Sequence, residues 1–194
     1  MNKISVILLV YDRTKYQEVL AETIKPTDTV IEIGPHVGGS TGVIAARAKK
    51  VIAVDKSEQA AAVFKDKPYK NVTFIKGDVR FFETIDKVSA VLKTDDRGLK
   101  TADRCDVLAV DMGGGRFPDT LFKVWCVWSG VLKPRDSIIR NNGLAEFIQR
   151  TRIEDPGLKT GYPDAGWLSN TGRKTPKQAK EGLEELKNWI VTDK

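Results

Sequence analysis

Residues 29–55 read TVIEIGPHVGGSTGVIAARAKKVIAVD, and this run decides the fold. Thr29–Ile33 is apolar apart from Glu32, as a parallel strand covered on both faces should be. A turn carrying Gly34, Gly38 and Gly39 follows, then a helix, then a second strand, Val51–Val54, that ends at Asp55. A turn with few side chains lets a ligand approach the backbone, and the helix behind it points N–H groups at that ligand. An acid at the tip of the next strand can accept hydrogen bonds from both hydroxyls of a ribose. This is the minimum apparatus for holding a nucleoside-containing cofactor.

Glycine spacing narrows the choice of cofactor. A dinucleotide fingerprint needs G-x-G-x-x-G, but Gly34 is followed by Pro35, His36 and Val37, so His36 stands where the second glycine belongs. A P-loop needs a lysine after its last glycine, and Gly38-Gly39-Ser40-Thr41 supplies none. Two acids remain, Glu32 before the turn and Asp55 after the second strand. A carboxylate is unfavourable beside a phosphate and favourable beside an ammonium group. S-adenosylmethionine, with an amino acid at one end and a ribose at the other, matches both.

The run Val30-Ile31-Glu32-Ile33-Gly34-Pro35 is similar to the glycine-rich motif I of the class I S-adenosylmethionine-dependent methyltransferases, especially as it stands in ribosomal RNA adenine dimethylases. The resemblance extends over roughly residues 28–143. It implies that the Gly34–Gly39 loop wraps the methionine part of the cofactor and that Asp55 holds the ribose. It implies that Gly77-Asp78, ending NVTFIKGD, meets the adenine amino group, and that Asp111, ending CDVLAVD, opens the catalytic loop. The implied cofactor contacts are Glu32, Gly34, Pro35, His36 and Gly38 in the first turn, then Asp55 and Lys56. Gly77, Asp78 and Val79 complete them, with Asp111 at the acceptor end. His36 departs from the family, which usually has glycine there.

Asp111 is the candidate catalytic residue: a base, a substrate anchor or a metal ligand, with capping of the next turn as its structural alternative. Asp111-Met112-Gly113-Gly114-Gly115 does not match the Asn/Asp-Pro-Pro-Tyr loop of amino-directed methyltransferases, which argues against transfer to adenine or glutamine nitrogens. No metal is expected. One histidine and two separated cysteines lack zinc spacing, and Asp111 with Asn141 or Asn142 offers too few oxygen ligands for magnesium.

Outward from this core, strand and helix alternate. The apolar run Ile4–Val10 reads as a buried strand or a helix start, and Asp12–Ile24 as an amphipathic helix with Tyr16, Val19 and Leu20 on one face. Helices are expected over Gly39–Lys49, from a Ser57 cap to Lys65, over Phe81–Leu92 and over Phe117–Leu132, the last with a core stripe of Leu121, Trp125, Trp128 and Leu132. Strands are expected at Val72–Ile75, Asp106–Val110 and Ser137–Arg140, with Asn141-Asn142-Gly143 as an exit turn. The fold class is therefore α/β: a doubly wound, mostly parallel sheet with helices on both faces, Rossmann-like, in a single domain spanning 1–194.

The C-terminal quarter reads as altered or shortened, because no strand pair follows Gly143 to close the sheet as the family does. Residues 154–175 are rich in Gly and Pro and read as a substrate lid, in which Tyr162 and Trp167 either stack on substrate or pack the lid down. Thr175-Pro176 opens a final helix to Val191. Residues 133–180 hold 10 Lys and Arg against 5 Asp and Glu. That excess could attract RNA, or be a solvated face. Cys105 and Cys126 read as buried free thiols, no run is long enough to span a bilayer, and a cytoplasmic location is expected. The function expected is S-adenosylmethionine-dependent methyl transfer to RNA or a small molecule. The alternative is a cofactor-binding or scaffold module of the same fold without transferase activity. An NAD-linked oxidoreductase is disfavoured by the broken fingerprint.

Overall fold

The computed structural model describes residues 6–66, 69–93, 104–155 and 157. Its elements follow in strict alternation: β1 (Val6–Val10), α1 (Arg13–Thr23), β2 (Thr29–Ile33), α2 (Gly39–Ala45), β3 (Lys50–Asp55) and α3 (Glu58–Asp66). Then come β4 (Val72–Lys76), α4 (Phe82–Lys93), β5 (Val107–Val110), a short 3-10 turn at Gly113–Gly115, α5 (Pro118–Leu132), β6 (Asp136–Arg140) and α6 (Asn142–Arg150). The strands form one sheet in the order β1-β6-β5-β2-β3-β4, and each neighbouring pair is parallel.

Successive side chains on a strand point to opposite faces, which is why the central strands are apolar at both parities. Val30, Val51, Val107, Ala109 and Ile138 pack with Tyr16 and Leu20 of α1 and Ile44 of α2. Ile31, Ile33, Ile52, Val54, Leu108 and Val110 pack with Ile85, Val88 and Leu92 of α4 and with Leu121, Trp125 and Trp128 of α5. Helices therefore cover both faces, as the sequence predicts. From β2 the chain steps one way to β3 and β4; β5, β6 and β1 lie on the other side. The reversal falls between β2 and β5, where an open parallel sheet leaves a crevice beyond its carboxyl ends.

Three expectations change. The N-terminal apolar strand is an edge strand rather than a buried one: Val6 and Ile7 are exposed and only Val10 is buried. It pairs in parallel with β6 and occupies the sheet position beyond it. Second, Asn141-Asn142-Gly143 is not an exit turn but the start of α6; the Asn141 carboxamide oxygen accepts from Leu144 N at 2.8 Å and caps the helix. Third, α2 stops at Ala45, four residues before the expected end. The stretch Thr94–Arg104, expected as a surface loop, lies outside the described residues except for Arg104, as do nearly all of the expected 154–175 lid and the expected final helix. Cys105 and Cys126 are buried and form no disulfide with each other. No helix among the described residues is long and apolar enough to cross a membrane.

At the amino end of the sheet, Asp28 is buried and its two oxygens accept from Arg135 at 3.0 and 2.9 Å. Burial acts to raise the Asp28 pKa, but the hydrogen bonds from Arg135 and from the Lys25 backbone override it, and the carboxyl is held below its ordinary value.

Candidate active site

The glycine turn crosses the seam where the strand order reverses. Gly34 N donates to Val54 O at 3.0 Å, and Asp111 N donates to Ile33 O at 3.0 Å, so the ends of β3, β2 and β5 are tied in one row. Gly34 has φ +81°, and a Cβ there would collide with the backbone carbonyl oxygen of Asp111. Glycine is required twice over, by conformation and by space. Pro35 is buried and its carbonyl accepts from Gly38 N at 2.8 Å. Gly38 has φ +79° and stands at the N-cap of α2 with no side chain in the way. His36, exposed, holds φ +49°, which is sparsely populated for a residue with a side chain. Its backbone N–H donates to Asp55 at 3.2 Å, so the carboxylate at the β3 tip holds the turn in place. The other Asp55 oxygen accepts from Ser57 N at 2.9 Å. A carboxylate has about four acceptor sites, so Asp55 keeps capacity for a ligand's hydroxyls.

Next to it, Gly77 N donates to Asp55 O at 2.9 Å. Asp78 is clamped by Arg80: Nε reaches both oxygens at 2.9 and 3.1 Å, Nη2 reaches one at 2.6 Å, and the Arg80 backbone N–H adds a bond at 3.0 Å. Burial acts to raise the Asp78 pKa and Arg80 outweighs it, leaving the carboxyl below its ordinary value; exposed Lys56 adds its charge in the same direction. Val79 is buried, and its carbonyl accepts from the Trp128 indole N–H at 2.9 Å.

Glu32 lies beneath the turn, 1% exposed, with Ser40 Oγ donating to one oxygen at 2.5 Å and Thr41 Oγ1 to the other at 2.6 Å. These hydroxyls belong to the first turn of α2, so the carboxylate pins the helix start to β2. Burial pushes its pKa from 4.5 up to about 7; the two hydroxyls pull against that, and Asp111 and Asp55 push with it. The buried Tyr16 hydroxyl, which has no hydrogen-bond partner among the described residues, feels both Glu32 and Asp111.

On the far side of the seam, Asp111 receives two hydrogen bonds from Arg140 Nη1, at 2.8 and 3.0 Å. Burial raises its pKa above the ordinary value; Arg140, Arg13 and His36 oppose the rise without cancelling it. The residues flagged from the sequence thus share one rim: Glu32, Gly34, Asp55, Gly77, Asp78 and Asp111 all stand at carboxyl ends of strands. Sequence reasoning missed Arg80 and Arg140 as partners of the acids. The register shows Val110 opposite Ile139, which sets Arg140 beside Asp111. A lone arginine ending an otherwise apolar strand was the available signal. Over its described part, the arginines of the basic segment are ion-paired. Arg135 pairs with Asp28 and Asp136, Arg140 with Asp111, Arg150 with Glu146 and Arg152 with Glu154.

A parallel sheet reversing at a glycine turn, with acids ending the strands on both sides of the reversal, defines a Rossmann-like methyltransferase of class I. The model of the FtsJ-like methyltransferase family matches residues 13–127, more than half of the chain, and the chain belongs to that family. Among curated proteins it is 46% identical over 63 residues to ribosomal RNA small subunit methyltransferase A of Leuconostoc mesenteroides, covering 31% of this chain and 21% of that protein. It is 35% identical over 68 residues to ribosomal RNA large subunit methyltransferase E of Archaeoglobus fulgidus, covering 35% of this chain and 32% of that protein. The matched segments span about a fifth to a third of these relatives. A solved complex of DhpI with SAM and HEP superposes with a TM-score of 0.47 at 16% identity, over 73% of this chain and 61% of that one, an overlap too loose to bear on function.

Proposed function

We propose that this chain transfers the methyl group of S-adenosylmethionine to an RNA acceptor. The observation that carries the reading is the Gly34–Gly38 turn, pinned from above by Asp55 through the His36 N–H and from below by Glu32 through Ser40 and Thr41. It is a preformed turn at the switch point of the sheet. The cofactor would bring an electrophilic sulfonium methyl. The chain's work is then alignment and, where needed, acceptance of a proton. Asp55 would take the ribose hydroxyls and Asp78 the adenine amino group. Pro35, His36, Lys56, Gly77 and Val79 would frame the pocket, while Glu32 would act through the turn it supports. Asp111 would face the acceptor, oriented by Arg140, and its raised pKa suits a group that accepts a hydrogen bond or a proton. RNA is favoured as acceptor because both relatives described above are ribosomal RNA methyltransferases by name.

Calorimetry with S-adenosylmethionine, followed by incubation with radioactive S-adenosylmethionine and total RNA, tests the reading. Binding plus label in RNA is expected. Absence of binding at millimolar cofactor would refute the cofactor assignment, and binding without label in any extract would leave the scaffold alternative standing instead.

A further inference from the structure

We propose that Tyr11 and Phe117 form a stacking platform for unpaired bases of a single-stranded RNA beside Asp111. This rests on the methyl-transfer reading of the cleft and names how its acceptor is held. Tyr11 and Phe117 are each 62% exposed, among the most exposed large apolar residues of those described. Tyr11 directly follows β1, next in the sheet to β6, which ends in Arg140. Phe117 comes two residues after the Gly113–Gly115 turn that leaves β5, and its ring lies against Gly113, where a Cβ would meet Phe117 at 3.0 Å. The Asp111–Arg140 pair ends β5 and β6, the strand that leads into the Phe117 loop and the strand that neighbours β1.

Asn141, fully buried, ties the two sides together. Its backbone N–H donates to Val10 O at 3.1 Å, one residue before Tyr11, and its carboxamide donates to Arg116 O at 3.0 Å, one residue before Phe117. Phe117 itself holds φ +57° at the N-cap of α5, with no capping hydrogen bond from its side chain. A bulky residue in the left-handed region is uncommon, and the Phe117 ring, resting on Gly113, stays largely outside the core.

Charge selects the occupant. Arg13 and Arg116 are exposed, two residues from Tyr11 and one from Phe117, and neither makes an ion pair among the described residues. Asp12, lying between Tyr11 and Arg13, commits its carboxylate to the Lys15 N–H at 2.9 Å as the cap of α1. Two exposed rings, one of them next in sequence to the unpaired Arg116, match a chain of bases joined by phosphates, since aromatic faces stack bases without regard to sequence and arginines meet the backbone; Arg13 instead carries its guanidinium to Gly39, and its charge acts on Asp111. The reading differs from recruitment through residues 133–155, whose arginines are already paired.

The test uses fluorescence anisotropy with a short labelled single-stranded RNA of mixed sequence and with the same strand annealed to its complement. Wild type, Tyr11→Ala, Phe117→Gly and Arg116→Ala are compared, with cofactor calorimetry and thermal melting on the same preparations. Tyr11→Ala and Phe117→Gly should each lose about tenfold in affinity for the single strand, little for the duplex and nothing for the cofactor. Phe117→Gly should melt no lower than wild type, because glycine relieves the positive φ. Arg116→Ala should lower the salt slope by about one. A wild type without preference for the single strand, variants that bind it unchanged, or an equal loss on the duplex would each overturn the platform. So would a change in self-association in place of a change in RNA affinity. If wild type binds cofactor but no RNA, the platform falls while methyl transfer stands; if RNA binds as described without cofactor, the methyl-transfer reading fails instead.

Discussion

Replacing Glu32 by glutamine should stabilise the protein at alkaline pH and remove most of its pH dependence between about 5 and 8. The carboxyl is fully buried and its pKa is displaced from 4.5 to about 7. In that interval the folded chain holds a proton that the unfolded chain has released, so stability must fall as pH rises. It is fully present below about 4.5 and lost once the pH passes about 7. At about 1.4 kcal/mol for each pH unit, the displacement corresponds to about 3 kcal/mol. Glutamine keeps the shape and one acceptor, and its NH2 can donate to the hydroxyl of Ser40 or Thr41, which rotate to accept. Urea unfolding at pH 5 should therefore give wild type and Glu32→Gln similar stabilities, within about 1 kcal/mol. At pH 8 the variant should lead by up to about 3 kcal/mol. Asp111, also raised by burial, leaves a smaller slope of the same sign in both proteins. Asp28 and Asp78, held below their ordinary value, act only at more acid pH, where stability is lost as they protonate. Equal slopes for wild type and variant across pH 5–8 would refute the reasoning.

Gly34→Ala should destabilise by roughly 2–4 kcal/mol in urea unfolding, combining a left-handed φ with a collision against the Asp111 carbonyl; a loss below about 0.5 kcal/mol would mean the β2–β5 seam yields freely. Arg135→Met should cost about 3–5 kcal/mol by leaving Asp28 buried and unpaired, and adding Asp28→Asn should restore much of it; a double variant no better than the single one would count against the pairing. Asp55→Ala should weaken S-adenosylmethionine binding by about 1.5–3 kcal/mol in calorimetry through lost ribose contacts, and unchanged affinity would remove Asp55 from the site.

The architecture was legible because periodicity and punctuation agreed at each step. Thr29–Ile33, Val51–Val54 and Asp106–Val110 are apolar at both parities, and each ends in an acid or a glycine turn, so strand, face and rim could be read together. What escaped was pairing at a distance. Nothing local in Asp78-Val79-Arg80 shows that the arginine folds back onto its neighbour, and only the β5–β6 register sets Arg140 beside Asp111. Asn141 misled because asparagine before Asn-Gly suits a turn and a helix cap equally well, and the cap prevailed through Leu144 N. The part played by Glu32 was equally hidden, since a strand acid next to a glycine turn reads as ligand-facing until the Ser40 and Thr41 hydroxyls are seen to enclose it.

The strand at the sheet's edge sets a timing problem for the nascent chain. Val6 pairs with Asp136, 130 residues further on. At roughly 5–20 residues per second, the ribosome needs on the order of ten seconds to deliver that partner. Until then VILLV is an apolar, uncharged strand without a mate, the kind of segment that recruits other copies. Yield from cells should therefore respond to temperature and to chaperone supply through these five residues, independently of anything the cleft does.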